Sequence, residues 1–187
     1  MTHDRFAQAD ALLKELGAAH TPHPGGTLLA HLHRVRDRLA AWGARPALQL
    51  AGLCHAFYGT DGFPHPLLPL DRRSDLREAI GEEAEALVHF YASCDREATY
   101  PTLATPEAPF RDRFTRRTHT PAESLRRDFA ELTAANEIDL AAADPDFRDR
   151  HGPALLGLFT RFRALLSEAA WQDCAAVLDP PTPPHSP

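Results

Sequence analysis

AGLCHAFYGTDGF, residues 51–63, is the stretch that decides the fold of this chain. Its first half is apolar on almost every side, which is typical of a helix that is central in its domain. Its second half is a loop with two glycines and several polar side chains, and His55 lies at the junction. A histidine at the exit of a buried helix either supports chemistry or is a hydrogen-bonded core residue. Which of the two applies depends on the residues that converge on His55.

The rest of the chain has the same helical periodicity. Apolar residues recur at helical spacing in seven segments, at about residues 6–17, 27–43, 47–57, 74–81, 82–95, 120–143 and 153–177. No stretch shows the sustained alternation of a β-strand. We therefore predict an all-α, single-domain bundle of about seven helices over residues 1–178. The proline-rich residues 179–187 are predicted to be a disordered tail.

Three local signals refine this prediction. Residues 120–123 read Thr-Pro-Ala-Glu, a pattern that predicts a capping box at the start of the sixth helix. Asp144-Pro145 is predicted to end that helix, and Pro153 to open the last one. Residues 96–118 hold three prolines and read as a long irregular segment, which predicts a lid, a binding loop or partial disorder.

Composition excludes several classes of protein. The chain has 187 residues and a formal net charge of -6, which argues against a nucleic-acid partner. Its three cysteines are widely spaced without a CxxC motif, as in a reduced cytoplasmic protein. The N-terminus lacks the apolar core of a signal peptide, and no stretch approaches a membrane span in length. We expect a soluble, cytoplasmic protein that binds neither nucleic acid nor membrane, and we predict no oligomeric state.

Histidines are the candidate ligands. There are eleven in the chain, and His31 shares a helix face with Val35. If the second and third helices pack side by side, His31 and His55 both face the cleft between them. Two neutral imidazoles with a nearby carboxylate make a site for zinc or a transition metal.

The order of His31 and His55 along the chain resembles that of the HD-domain phosphohydrolases. The pattern is nearest to the hydrolase module of the bacterial alarmone (ppGpp) enzymes. That module has a Gly-containing connector, a metal-binding His, a helix that ends in "LLHD", an acidic loop, and then Ile-Gly and Leu-Val segments. The counterparts here, within about residues 20–140, are Pro24-Gly25-Gly26, His31, Leu53-Cys54-His55-Ala56, Ile80-Gly81 and Leu87-Val88. The chain is also similar to an uncharacterised domain related to that superfamily. The resemblance implies an HD-like bundle that holds a metal through His, His-Asp and a later Asp.

Two of the family's four ligands are replaced in this chain. Ala56 stands where the His-Asp pair has its Asp, and Asn136 stands where the later Asp would fall. An amide is a poorer ligand than a carboxylate for such cations. Asp61 and Asp139 are the candidate replacements, and His89 is a possible third imidazole. Glu137 is predicted to point elsewhere.

The resemblance therefore implies the following site. Its metal ligands are His31 and His55, and its catalytic carboxylates are Asp61 and Asp139. Its substrate-binding residues are Tyr58, Thr60, Arg72, Arg96 and Asn136. Purely structural roles stay open for the same residues: Tyr58 fills the core, Thr60 and Asp61 form a turn, and the arginines are solvated in ion pairs.

The implied function is metal-dependent hydrolysis of a small phosphoester-type substrate. The expected cofactor is a divalent manganese, iron or zinc ion, with no organic cofactor. One alternative is an iron oxygenase of the same architecture. The other is a metal-free HD-like scaffold that binds a small molecule or a partner protein. Loss of both family carboxylates favours the metal-free scaffold.

Overall fold

The computed structural model describes residues 2–179, and its helices confirm the predicted all-α class. The described chain contains nine α-helices and one 3-10 helix, at Leu70–Arg72. The α-helices are α1 (Thr2–Glu15), α2 (Leu28–Ala41), α3 (Pro46–Cys54), α4 (Arg73–Ile80), α5 (Glu82–Ala92), α6 (Arg96–Thr99), α7 (Glu123–Ala143), α8 (Pro145–Arg161) and α9 (Glu168–Leu178). Four two-residue strands, which the sequence does not predict, form two antiparallel pairs: β1 (Pro22–His23) with β2 (Gly26–Thr27), and β3 (Phe110–Arg111) with β4 (Thr118–His119).

Helix α3 is central, as its all-round apolar sequence predicts. It packs against α1, α2, α5 and α7, and all of its last five residues are buried. At Gly52 the backbone of α3 comes so close to α2 that a β-carbon would lie 2.5 Å from Leu39 Cδ1. This close approach brings His31, on α2, beside His55, which directly follows α3.

Helix α7 is the second buried helix of the bundle. Residues 132–139 are buried without interruption, although they include Asn136, Glu137 and Asp139. Burying polar side chains is favourable only when they are hydrogen-bonded or ion-paired. The middle of α7 therefore carries a polar cluster into the core, and Asn136 and Asp139 of that cluster face α2.

The helix count exceeds the prediction in two places. Within residues 96–118, the Asp95 side chain accepts a hydrogen bond from the backbone N–H of Ala98 and begins α6. At the other end, the predicted last helix is two helices, α8 and α9. Pro153 lies inside α8 and does not open it, because Asp144 caps the helix and Pro145 occupies its first turn. The Asp144-Pro145 pair thus ends one helix and begins the next.

The predicted capping box is wrong in detail. Helix α7 begins at Glu123, and its N-cap, Ala122, makes no side-chain hydrogen bond. The Thr120 hydroxyl donates to the Glu107 carbonyl oxygen, 2.7 Å away. The Thr120 side chain therefore makes a tertiary hydrogen bond in place of the N-cap hydrogen bond that the local sequence predicts.

Cys54, Cys94 and Cys174 are buried free thiols. In the described part of the chain, no helix has the length and apolarity needed to cross a membrane. The predicted tail lies outside the described residues except for Asp179.

Candidate functional site

A cavity of about 410 Å³ lies where α2, the end of α3 and α7 meet. The β1–β2 hairpin and the loop after His55 close its sides. Its polar wall consists of His23, His31, His55, Thr60, Arg96, Asn136 and Glu137. Its apolar wall consists of Pro22, Pro24, Leu28, Ala56, Phe63, Leu140 and Phe147, together with Gly62.

His31 is anchored at both ring nitrogens. Its Nδ1 lies 2.6 Å from Asp139 Oδ2, and its Nε2 lies 3.0 Å from Asn136 Oδ1. Asp139 and Asn136 are three residues apart on α7, so both reach α2 from one helix face. The imidazole is thereby fixed across the α2–α7 interface.

The neighbours of Asn136 determine which of its side-chain atoms faces His31. Asn136 Nδ2 donates to Glu137 Oε1 at 3.2 Å, and that carboxylate also accepts from Arg96 Nη1 at 3.0 Å. The amide oxygen of Asn136 therefore faces His31 Nε2 as an acceptor. Because the other ring nitrogen faces the Asp139 carboxylate, both nitrogens of His31 face oxygen atoms of α7.

Asp139 lies behind His31 as a buried carboxylate. Arg34 donates to it twice, from Nε to Oδ1 at 2.8 Å and from Nη2 to Oδ2 at 2.9 Å. Burial alone would raise the pKa of Asp139, but the hydrogen bonds from His31 and Arg34 outweigh it and lower the pKa below its ordinary value. Arg34, Asp139 and His31 thus form a hydrogen-bonded row, with the Asp139 carboxylate between the other two side chains.

His55 is a neutral acceptor at the end of α3. Its Nδ1 donates to the Gly52 carbonyl oxygen, 2.8 Å away, so Nε2 carries the lone pair. Burial, followed by the charge of His31, lowers the pKa of His55 to about 3. Within residues 2–179, Nε2 has no hydrogen-bond partner and is available to a molecule in the cavity.

His23, on the β1–β2 hairpin, covers His31. The two rings are stacked with their centroids 4.2 Å apart, and the His31 and His55 centroids are 5.3 Å apart. Burial and the charge of His31 lower the pKa of His23 to about 4, so this ring is neutral as well. Its Nδ1 is buried and has no hydrogen-bond partner among the described residues.

The structure brings five of the predicted site residues to the cavity wall. These are His31, His55, Thr60, Arg96 and Asn136. Thr60 Oγ1 accepts from the backbone N–H of Phe63 at 3.0 Å, which leaves its hydroxyl proton free to donate. Asp139 does not line the cavity but holds His31 from behind.

Three predicted residues lie elsewhere, because each has a nearer partner. Exposed Asp61 accepts from the backbone N–H of Arg96 through Oδ2 at 2.9 Å. The Tyr58 hydroxyl donates to Glu85 Oε1 at 2.9 Å, inside the core. Arg72 is exposed and pairs with Asp75. His89, the possible third imidazole, is not part of the cavity wall either.

Sequence reasoning missed two polar residues of the cavity, His23 and Glu137. The prediction that Glu137 points elsewhere is wrong, because this part of α7 is buried on every side and the carboxylate reaches Arg96 at the cavity wall. His23 reaches the cavity because the β1–β2 pairing folds the connector back over α2. The apolar residues on several sides of α7 are a usable signal for Glu137, whereas no local signal marks His23.

The residues of the cavity do not fit a divalent metal. A histidine ligand needs a nitrogen lone pair directed at the metal, but both nitrogens of His31 already contact oxygen atoms of Asp139 and Asn136. Buried Ala56 supplies no ligand, and the Asn136 oxygen already accepts from His31. Among the described residues, no group of three or more His, Cys, Asp or Glu side chains is arranged to hold a metal ion.

The fold and the cavity define a helical protein with a histidine-lined pocket. Residues 12–96, less than half of the chain, match a family described as Domain of unknown function (DUF6817). The matched region contains His23, His31, His55 and the loop that follows His55. No curated protein and no solved structure matches the chain.

Proposed function

We propose that this chain is a metal-independent small-molecule-binding protein on a helical scaffold similar to that of the HD domains. The observation that carries the proposal is the double anchoring of His31. Asp139 and Asn136 occupy the two ring nitrogens, at 2.6 Å and 3.0 Å. In the family that the sequence resembles, this histidine holds a metal, whereas here both of its nitrogens are occupied by side chains of α7.

The pocket has the composition of a ligand site. Its volume of about 410 Å³ falls within the range of roughly 300–1,000 Å³ that is usual for small-molecule sites. Its lining is apolar in part, and the remaining residues offer a few fixed polar groups. Among these, His55 Nε2 is an acceptor and the Thr60 hydroxyl is a donor. Such a division orients a bound molecule and gives it specificity.

Metal analysis and ligand-detected NMR test this proposal together. Protein purified without a polyhistidine tag is expected to contain no stoichiometric manganese, iron or zinc, and chelators should not change its unfolding temperature. In a screen of anionic and neutral fragments, the binders should be lost in His55→Leu, which removes the acceptor. They should persist in His89→Leu, the matched control outside the cavity. Stoichiometric metal that is lost in His55→Leu and kept in His89→Leu would overturn the proposal.

A metal-dependent hydrolase or iron oxygenase is the competing function. The contact between His31 and Asp139 favours it, because histidine ligands commonly donate their second nitrogen to a carboxylate. His55 is oriented in the same way by the Gly52 carbonyl. Both alternatives require the Asn136 amide to release His31 Nε2 and further ligands to replace the family carboxylates. The metal analysis above separates them from the binding function.

A further inference from the structure

Two buried side chains of the cavity wall carry an acceptor atom that has no hydrogen-bond partner. His55 is 4 % exposed, and its Nδ1 donates to the Gly52 carbonyl oxygen, so Nε2 is a lone-pair nitrogen. Glu137 is 7 % exposed, and its Oε1 accepts from Arg96 and Asn136. Within residues 2–179, neither His55 Nε2 nor Glu137 Oε2 accepts a hydrogen bond. Buried acceptors are unfavourable unless a donor reaches them, so both atoms call for a donor in the cavity.

The formal charges of Arg and Glu at the cavity are already paired. The wall contains one arginine, Arg96, and one acidic residue, Glu137, and their side chains lie 3.0 Å apart. Behind the wall, Arg34 is paired with Asp139. An ion would lose its hydration on entry and gain no free counter-charge from these two pairs. An anion would also set its own lone pairs against those of His55 Nε2 and Glu137 Oε2.

We propose that the ligand is a neutral molecule with at least two N–H or O–H groups, one donating to His55 Nε2 and another to Glu137 Oε2. This inference rests on the proposed function, since a metal ion would take the lone pair of His55. The Thr60 hydroxyl accepts from the backbone N–H of Phe63 and has its proton free, so an oxygen of the ligand is its partner. Amides, ureas and hydroxylated rings belong to this class of ligand.

The rest of the wall fits a flat ring. His23, Phe63 and Phe147 line the same cavity, and the rings of His23 and Phe63 meet edge to face with their centroids 6.1 Å apart. Aromatic side chains pack well against a second flat ring. Small aromatic molecules that carry two donors are therefore suitable probes.

Calorimetric titration with matched probes tests the need for donors. Benzimidazolone offers two N–H groups, and resorcinol offers two O–H groups. The dimethylated derivative of each keeps the ring without a donor, and it should bind at least about tenfold more weakly than the tighter parent, because buried acceptors stay unpaired. The monomethylated derivatives should fall between. Benzoate and benzylamine, charged rings of similar size, should bind more weakly than the tighter parent, whose identity shows whether N–H or O–H is the preferred donor.

Variants and nitrogen NMR place the donor at His55. In His55→Leu the tighter parent should lose its advantage over its dimethylated derivative, whereas His89→Leu, outside the cavity wall, should keep it. A lone-pair nitrogen becomes more shielded when it accepts a hydrogen bond. The nitrogen resonance of His55 Nε2 should therefore move upfield with the parent probe and stay in place with the dimethylated one. This readout uses the unaltered protein and does not depend on how the variants fold.

Each negative result has a distinct meaning. Equal binding of the tighter parent and its dimethylated derivative, or an unmoved His55 Nε2 resonance, overturns the donor at His55. Equal binding of the parent and its monomethylated derivative overturns the second donor at Glu137. Benzoate or benzylamine binding as tightly as the parent overturns the neutral class, and failure of both parents to bind overturns the inference as a whole. In each case the proposed function stands if fragments still bind in a way that depends on His55. It fails if metal is bound there.

Discussion

His31 Nδ1 and Asp139 Oδ2 face each other across the α2–α7 interface at 2.6 Å, with 1 % and 2 % of their side chains exposed. Few arrangements hold a histidine so firmly, because the hydrogen bond is charge-assisted and almost shielded from water. Arg34 neutralises the carboxylate from the opposite side. Together with the Asn136 contact, this relationship occupies both nitrogens of a residue that the sequence predicts to hold a metal.

Removal of the carboxylate at position 139 should destabilise the fold strongly. Asp139→Asn takes the counter-charge from Arg34 and the carboxylate from His31, and breaking a buried pair from one side costs about 3–5 kcal/mol. The measurement is urea unfolding at pH 7. Asp37→Asn, at an exposed pair with Arg36, is the control and should change the free energy of unfolding by less than about 0.5 kcal/mol. A loss at Asp139 no larger than that of the control would contradict the role described for the pair.

Restoration of the family carboxylates should create a metal site. In Ala56→Asp/Asn136→Asp, two carboxylates join His31 and His55, and the carboxylate introduced at position 136 cannot donate to Glu137 as the amide does. We expect the double variant to bind one Mn²⁺ or Zn²⁺ ion per chain and to be stabilised by it. The measurement is calorimetric titration together with thermal unfolding.

The unaltered protein and Ala56→Asp alone are the controls for metal binding. Both should bind neither ion stoichiometrically, since Asn136 still occupies His31 Nε2. Metal binding by the unaltered chain would show that Asn136 releases His31, and it would favour the hydrolase or oxygenase.

Acidification should destabilise the protein through His55. Its pKa falls from 6.5 to about 3 on folding, so between these values the unfolded chain binds a proton that the folded chain excludes. The stability contributed by this group is complete above about pH 6.5 and is lost as the pH falls. The expected slope approaches about 1.4 kcal/mol per pH unit.

His55→Gln isolates this contribution. Unfolding free energies measured between pH 6.5 and 5, above the titration of most carboxylates, should fall less steeply in His55→Gln than in the unaltered protein. His151→Gln, at an exposed position, should keep the original slope. Identical slopes for all three proteins would mean that His55 is accessible to protons in the folded state.

The spacing of α2 and α3 should depend on Gly52. In Gly52→Ala the new methyl group would lie 2.5 Å from Leu39 Cδ1, so we expect a loss of about 1–3 kcal/mol in unfolding free energy. Gly157, inside α8, has no atom nearer than 3.9 Å to the corresponding position. Gly157→Ala should therefore stabilise the protein, by up to about 1 kcal/mol. Equal effects of the two substitutions in a thermal or urea unfolding series would contradict the close approach.

The local sequence determined the helices and part of the cavity. Apolar periodicity located α2, α3, α5 and α7, because each of these helices buries one apolar face or all of its faces. The same periodicity placed His31 and His55 toward a common cleft, and their ring centroids are 5.3 Å apart. The residues that a single helix buries can be predicted from the sequence of that helix.

The tertiary structure decided which partner each polar side chain takes. Asp61 is bound by the N–H of Arg96, Thr120 by the Glu107 carbonyl, and Asn136 by His31 and Glu137. These partners are up to 105 positions apart along the chain, and hydrogen bonds reach only about 3 Å. The periodicity of the sequence thus established the helices and brought His31 to the cavity. Only the packing of α7 on α2 decided that its nitrogens bind Asp139 and Asn136.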